Sequence, residues 1–193
     1  MNTFMKPYFL IFSLLLYFSS LPTSWATSLL PISLEQLSMR ASLIFYGSVI
    51  SNQVKKDEQS GRIATFTEFG IIDLIKGETG EKHTIKQIGG YLKETGTTLR
   101  IHGVPEFQTG NHYVVFLPKQ SNLGFSSPLG LHQGRFSVLT VNGEQVVSNG
   151  RNLATQPEQS SRSVQLPLAV RADKPSQSRL DDFLNTVRAY NTP

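Results

Sequence analysis

Apolar and polar residues alternate with the two-residue period of a strand over most of this chain. Only two stretches carry the 3.6-residue period of a helix. The first follows Pro31, where Ser33 and Gln36 make an S-x-x-Q capping box and Leu34, Leu37 and Ala41 recur on one side. The second lies near the end, where Leu180, Phe183, Leu184 and Val187 form an apolar stripe, Ser178 is the expected cap and Asp181 complements the dipole.

Between these helices the pattern predicts strands. Residues 43–51 (LIFYGSVIS) are β-branched and aromatic, with Gly47 suited to a sharply coiled strand, and residues 52–61 read as a charged connection. Residues 62–75 alternate through Ile63, Thr65, Thr67, Phe69 and Ile71, with a bend or bulge expected at Gly70. Residues 84–88 and 97–102 give two further strands, separated by Gly89 and Gly90. Residues 113–117 (YVVFL) form a continuous apolar run bounded by turns, which fits a central strand covered on both faces. Residues 134–140 and 145–148 flank Asn142-Gly143, a strong hairpin signal.

This pattern predicts a mainly β fold: a small five- to six-stranded OB-like barrel with a short N-terminal helix and a C-terminal amphipathic helix. The domain spans residues 32–148 and the last helix residues 176–190. Residues 149–175 are polar and read as a linker or surface-crossing segment, in which residues 164–170, interrupted by Pro167, allow at most an edge strand.

Residues 1–26 read as a signal peptide. Lys6 provides the charge, residues 8–18 the apolar stretch, and Ser24-Trp25-Ala26 the small-x-small cleavage site. The apolar stretch is shorter than the roughly 20 residues that span a bilayer, so the expected product is exported, periplasmic or secreted, with no membrane span after cleavage. The formal charge of +4 falls by one with Lys6, a balance too mild to argue for nucleic acid. The chain has no cysteine, which excludes disulfides, a thiol nucleophile and thiolate metal sites.

The chain resembles an uncharacterised family of exported bacterial OB-like β-barrel domains. The resemblance rests on residues 41–49 (ASLIFYGSV), 73–77 (DLIKG), Gly89-Gly90, 102–107 (HGVPEF), Gly110 with 114–117 (VVFL), and 130–138 (GLHQGRFSV). More distantly it is similar to netrin-type modules and tissue inhibitors of metalloproteases. That likeness implies a barrel that binds another protein. The inhibitors act through an N-terminal cysteine, which this chain lacks, so an inhibitor-like module would have to act by another mechanism.

Candidate chemistry is sparse. No G-x-S-x-G elbow, phosphate-cradling loop or acidic calcium loop occurs, and no catalytic residue or cofactor is assigned. Among the four histidines, His102, His112 and His132 lie beside strand ends and are the candidates for a metal, although isolated surface histidines are the commoner case. Glu68 and Asp73 point to opposite faces of a regular strand. The sharpest local feature is residues 130–136 (GLHQGRF), in which His132, Gln133 and Arg135 stand at a strand entry and suit a carboxylate or carbonyl on a partner. The plainer reading is a β-bulge with polar residues facing solvent. The sequence points to an exported, non-enzymatic module for a protein or cell-envelope ligand. The alternatives are a small histidine- or metal-dependent hydrolase and a protease-inhibitor-like module.

Overall fold

The computed structural model describes residues 30–150 and 177–192. Helix α1 (Leu34–Arg40) opens with the expected capping box: Ser33 Oγ accepts from Gln36 N at 3.1 Å while Gln36 Oε1 accepts from Ser33 N at 3.3 Å. Then follow β1 (Leu43–Lys56), β2 (Ile63–Lys76), β3 (Lys82–Ile88), β4 (Gly90–Leu92), β5 (Thr97–Leu99), β6 (His112–Leu117), a 3-10 turn (Leu131–Gly134), β7 (Arg135–Val141), β8 (Glu144–Ser148), β9 (Ser178–Arg179) and α2 (Leu180–Asn191). The fold is mainly β. Seven strands make one antiparallel sheet in the order β3-β2-β1-β6-β7-β8-β9, and β4 pairs with β5 in a separate hairpin.

The sheet is covered on both faces at its centre. Ile44 and Tyr46 of β1 and Val114 and Phe116 of β6 pack with Phe136, Leu37, Phe183, Leu184 and Val187 against the two helices. Their neighbours Phe45, Tyr113, Val115 and Leu117 point the other way and pack with Phe69, Ile85 and Phe107. Strand β6 is therefore apolar on both sides because both sides are covered; Val114, Val115 and Phe116 have no solvent exposure.

Strands β1 and β2, 14 residues each, pair along their length with three register shifts. Ile50, Ile72 and Ile75 are the extra residues, and the first two are turned out to solvent. The bulges thus flank Gly70 instead of falling on it. Gly47 is required for a different reason: a Cβ there would stand 2.6 Å from the Gly70 carbonyl oxygen, so only glycine lets the two backbones approach.

Several expectations are corrected. The main sheet has seven strands, not five or six, and in the described residues its end strands β3 and β9 do not pair, so the sheet is open. Residues 52–56, expected as a connection, continue β1 because residues 63–67 of β2 offer a partner ladder. Residues 97–102 give only the short β5. Ser178 does not cap α2: it pairs with Val147 in β9, is 5% exposed, and Arg179 takes the N-cap position without a side-chain bond. Leu180, Phe183, Leu184 and Val187 are buried as expected. The signal peptide and the expected linker, apart from residues 149 and 150, lie outside the described residues.

Candidate functional site

Residues 104–108 form a strap across the sheet face opposite the helices. Three side chains from three strands hold three consecutive carbonyls of this strap. Gln87 Nε2 of β3 donates to Pro105 O at 3.2 Å, Arg135 Nη1 of β7 to Glu106 O at 2.6 Å, and Asn52 Nδ2 of β1 to Phe107 O at 2.8 Å. Tyr113 Oη accepts from Gln108 N at 3.2 Å, and the Tyr113 ring meets Phe107 edge to face at 5.1 Å. An extended segment with no strand partner has its backbone groups satisfied in this way.

Between the strap and strands β6 and β7 lies a cleft of about 460 Å³, lined by Glu106, Asn111, Tyr113, His132, Arg135 and Leu139 among others. Its floor follows from strand alternation: Arg135, Ser137 and Leu139 lie two residues apart on β7, and Ser137 stands opposite Tyr113. The Arg135 guanidinium sits 5.4 Å from the centre of the Tyr113 ring. Its Nε is buried without a hydrogen-bond partner, and among the described residues no carboxylate forms an ion pair with it. A half-buried guanidinium held by one carbonyl and an aromatic face is a cation with unsatisfied capacity for an anion.

The three residues singled out in the sequence separate here. His132, exposed, and Arg135 line the cleft. Gln133 turns inward: it is 2% exposed, its Oε1 accepts from Ile32 N at 2.7 Å, and its carbonyl accepts from Asn149 Nδ2 at 3.2 Å. It ties the entry of α1 to the sheet. The local structure is a 3-10 turn, not a β-bulge, entered through Gly130 and Leu131, both with positive φ. A Cβ on Gly130 would meet Ile32 Cδ1 at 2.6 Å.

The three histidines do not all gather: His112 and His132 both line the cleft, the His112 ring 6.0 Å from that of Tyr46, whereas His102 is exposed and outside it. Among the described residues no three His, Cys, Asp or Glu side chains stand where they would hold a metal ion. The bulge at Ile72 puts Asp73 on the helix side, where it pairs with Arg188 of α2, while Glu68 pairs with Lys82 at 3.2 Å.

A second group of polar residues closes the other end of the sheet. Lys86 Nζ lies 2.7 Å from Asp57 Oδ1, donates to Leu123 O at 2.7 Å and stands 4.5 Å from the Phe125 ring centre. Ser126 N donates to Lys86 O at 2.9 Å, so the loop after β6 covers part of the free edge of β3. The sequence did not single out Gln87, Asn52, Asp57 or Lys86. The one signal was a lysine and a glutamine next to each other inside an otherwise strand-like run.

Among the described residues no helix is long and apolar enough to cross a membrane. No protein-family model matches the chain, and a search of curated proteins finds no match.

Proposed function

We propose that this chain is an exported, non-enzymatic binding module that takes a carboxylate or carbonyl of a partner at the Arg135 cleft. The observation that carries the reading is Arg135 itself, partly withdrawn from water, resting on Tyr113 and lacking a counter-ion among the described residues. Holding such a charge costs free energy that a ligand carboxylate offsets. Export is supported by the pattern of residues 1–26.

The scaffold is read as an OB-like sheet left open. Strands β3-β2-β1-β6-β7 follow the order of a five-stranded coiled sheet, and the bulges in β1 and β2 supply its curvature. The distant likeness to netrin-type modules is read as reaching this shape and partner binding, not the cysteine-dependent mechanism.

Photocross-linking tests the reading. A photoreactive side chain at Ser137, on the cleft floor, is expected to give discrete adducts in the compartment where the chain resides, and the same group at Lys82, on β3, is not. Adducts of equal yield from both positions, or none from Ser137, would overturn it.

A further inference from the structure

The cleft continues onto a strand edge that has no neighbour among the described residues. The β6–β7 ladder ends at His112 opposite Val138, because the chain before β6 turns away at Gly110 and Asn111. Among the described residues, Leu139, Thr140 and Val141 run on with β8 alone. Asn142 and Gly143, with φ of 52° and 82°, make the two-residue turn, so flanking Val141 and Glu144 exchange the first hydrogen-bonded pair. The next residue, Thr140, therefore directs its N–H and C=O away from β8, toward the side where β6 has stopped.

Side chains on this ribbon alternate as well. Leu139 and Val141 share the face of Ser137 and Arg135, and they are 48% and 40% exposed. Arg135 and Leu139 are four residues apart, about 13 Å along a strand. Among the described residues, one path thus presents a cationic end at Arg135, an open backbone edge at Thr140 and an apolar end at Leu139 and Val141. Glu106 on the wall opposes polyanions, which leaves a single carboxylate as the matching group.

We propose, resting on the binding-module reading, that the ligand is an extended peptide segment of a partner protein. It lies beside β7, places one carboxylate on Arg135, pairs its backbone with Thr140 and sets an apolar side chain over Leu139 and Val141. The carboxylate comes from a chain terminus or from an acidic side chain; the chemistry is shared.

Three libraries of acetylated heptapeptides test this with the mature chain, read by affinity selection and mass spectrometry. The first has a free C-terminal carboxylate, the second a C-terminal amide and one internal glutamate, the third an amide and glutamine in its place. At least tenfold enrichment of the first or second over the third is expected, with an apolar residue recurring at a fixed spacing from the carboxylate. Which of the two is enriched identifies the source. Arg135→Gln removes the enrichment, and Arg135→Lys retains part of it; a thermal melt of each variant checks folding. Equal retention of all three libraries overturns the proposal, as does enrichment that survives Arg135→Gln. Titration of labelled protein with sodium acetate separates the two readings. Acetate shifting the Arg135 signals while no library is enriched removes the peptide and leaves the carboxylate cleft, whereas no response to either removes both.

Discussion

The Lys86 ammonium and the Asp57 carboxylate lie 2.7 Å apart with side chains only 11% and 9% exposed, joining the β1–β2 turn to β3. Asp57 Oδ2 also accepts from Ser60 N at 2.9 Å and Ser60 Oγ at 2.5 Å. The Lys86 hydrogen bond, and after it that from the Ser60 hydroxyl, holds the Asp57 carboxyl below the usual carboxylate range. A carboxyl depressed in the folded state stabilises the fold above its unfolded value near 3.9 and loses that contribution as pH falls through the lower folded value. Lys86→Met leaves the carboxylate without its cation and is expected to lower the melting temperature by several degrees at pH 7. The gap to the parent narrows below about pH 4, where the carboxyl of the unfolded chain protonates. Equal melting at pH 7 would show that the pair is dispensable.

His83 gives a second pH dependence in a different window. Its Nδ1 is 3.2 Å from Thr79 Oγ1, its ring packs against Phe45, and its Nε2 is buried with no partner among the described residues. Burial lowers its pKa below the usual histidine value. The unfolded chain therefore takes up the proton first, and stability falls as pH drops from about 6.5 toward the folded value. Urea midpoints measured between pH 7 and pH 5 are expected to decline in the parent and to flatten in His83→Phe, which keeps the ring. A parallel decline in both proteins would assign the slope to other groups.

What the sequence revealed was mostly local. Ser33 with Gln36 and Asn142 with Gly143 place their own elements through contacts within three residues. Strand β6 was legible because a run apolar on both faces has few other places in a sheet. Residues 52–56 were hidden, since Lys55 and Lys56 are strand only by pairing with Ala64 and Ile63. Ser178 looked like a cap and was drawn into β9 by Val147. In the site, polar residues flanked by glycines drew attention to His132 and Arg135. Whether Gln133 faces the cleft or the interior depends on Ile32, about a hundred residues away in sequence, and no local pattern encodes that. The pins from Gln87 and Asn52 to the strap span 18 and 55 residues and are likewise beyond any local pattern.

Val115 and Phe116 test the double covering of β6 from its two sides. Val115 lies in the cluster with Phe45 and Phe69, and Phe116 in the cluster beneath the helices. An aspartate at either position buries a charge without a partner, so Val115→Asp and Phe116→Asp should each cost about 3 kcal/mol or more. Chemical denaturation of the two variants measures it. Parent-like stability in one of them would mean that its face is open to solvent.

Phe183 carries the attachment of α2 to the sheet. Its ring lies 4.7 Å from that of Phe136 and 6.4 Å from that of Phe116, and the residue is 3% exposed. The same helix also reaches β2 through Arg188 and Asp73, but those side chains are 44% and 28% exposed. The two contacts differ in kind: an aromatic in a closed cluster leaves a cavity when removed, whereas an exposed ion pair trades salt-bridge for water contacts. Phe183→Ala is therefore expected to cost roughly 3 to 5 kcal/mol, and Arg188→Ala less than about 1 kcal/mol. Urea unfolding of both variants compares them directly, and a dye that binds apolar surface should respond to the first variant alone. The reverse order would mean that α2 is held by its charges and that the Phe136 and Phe116 rings stay covered without it.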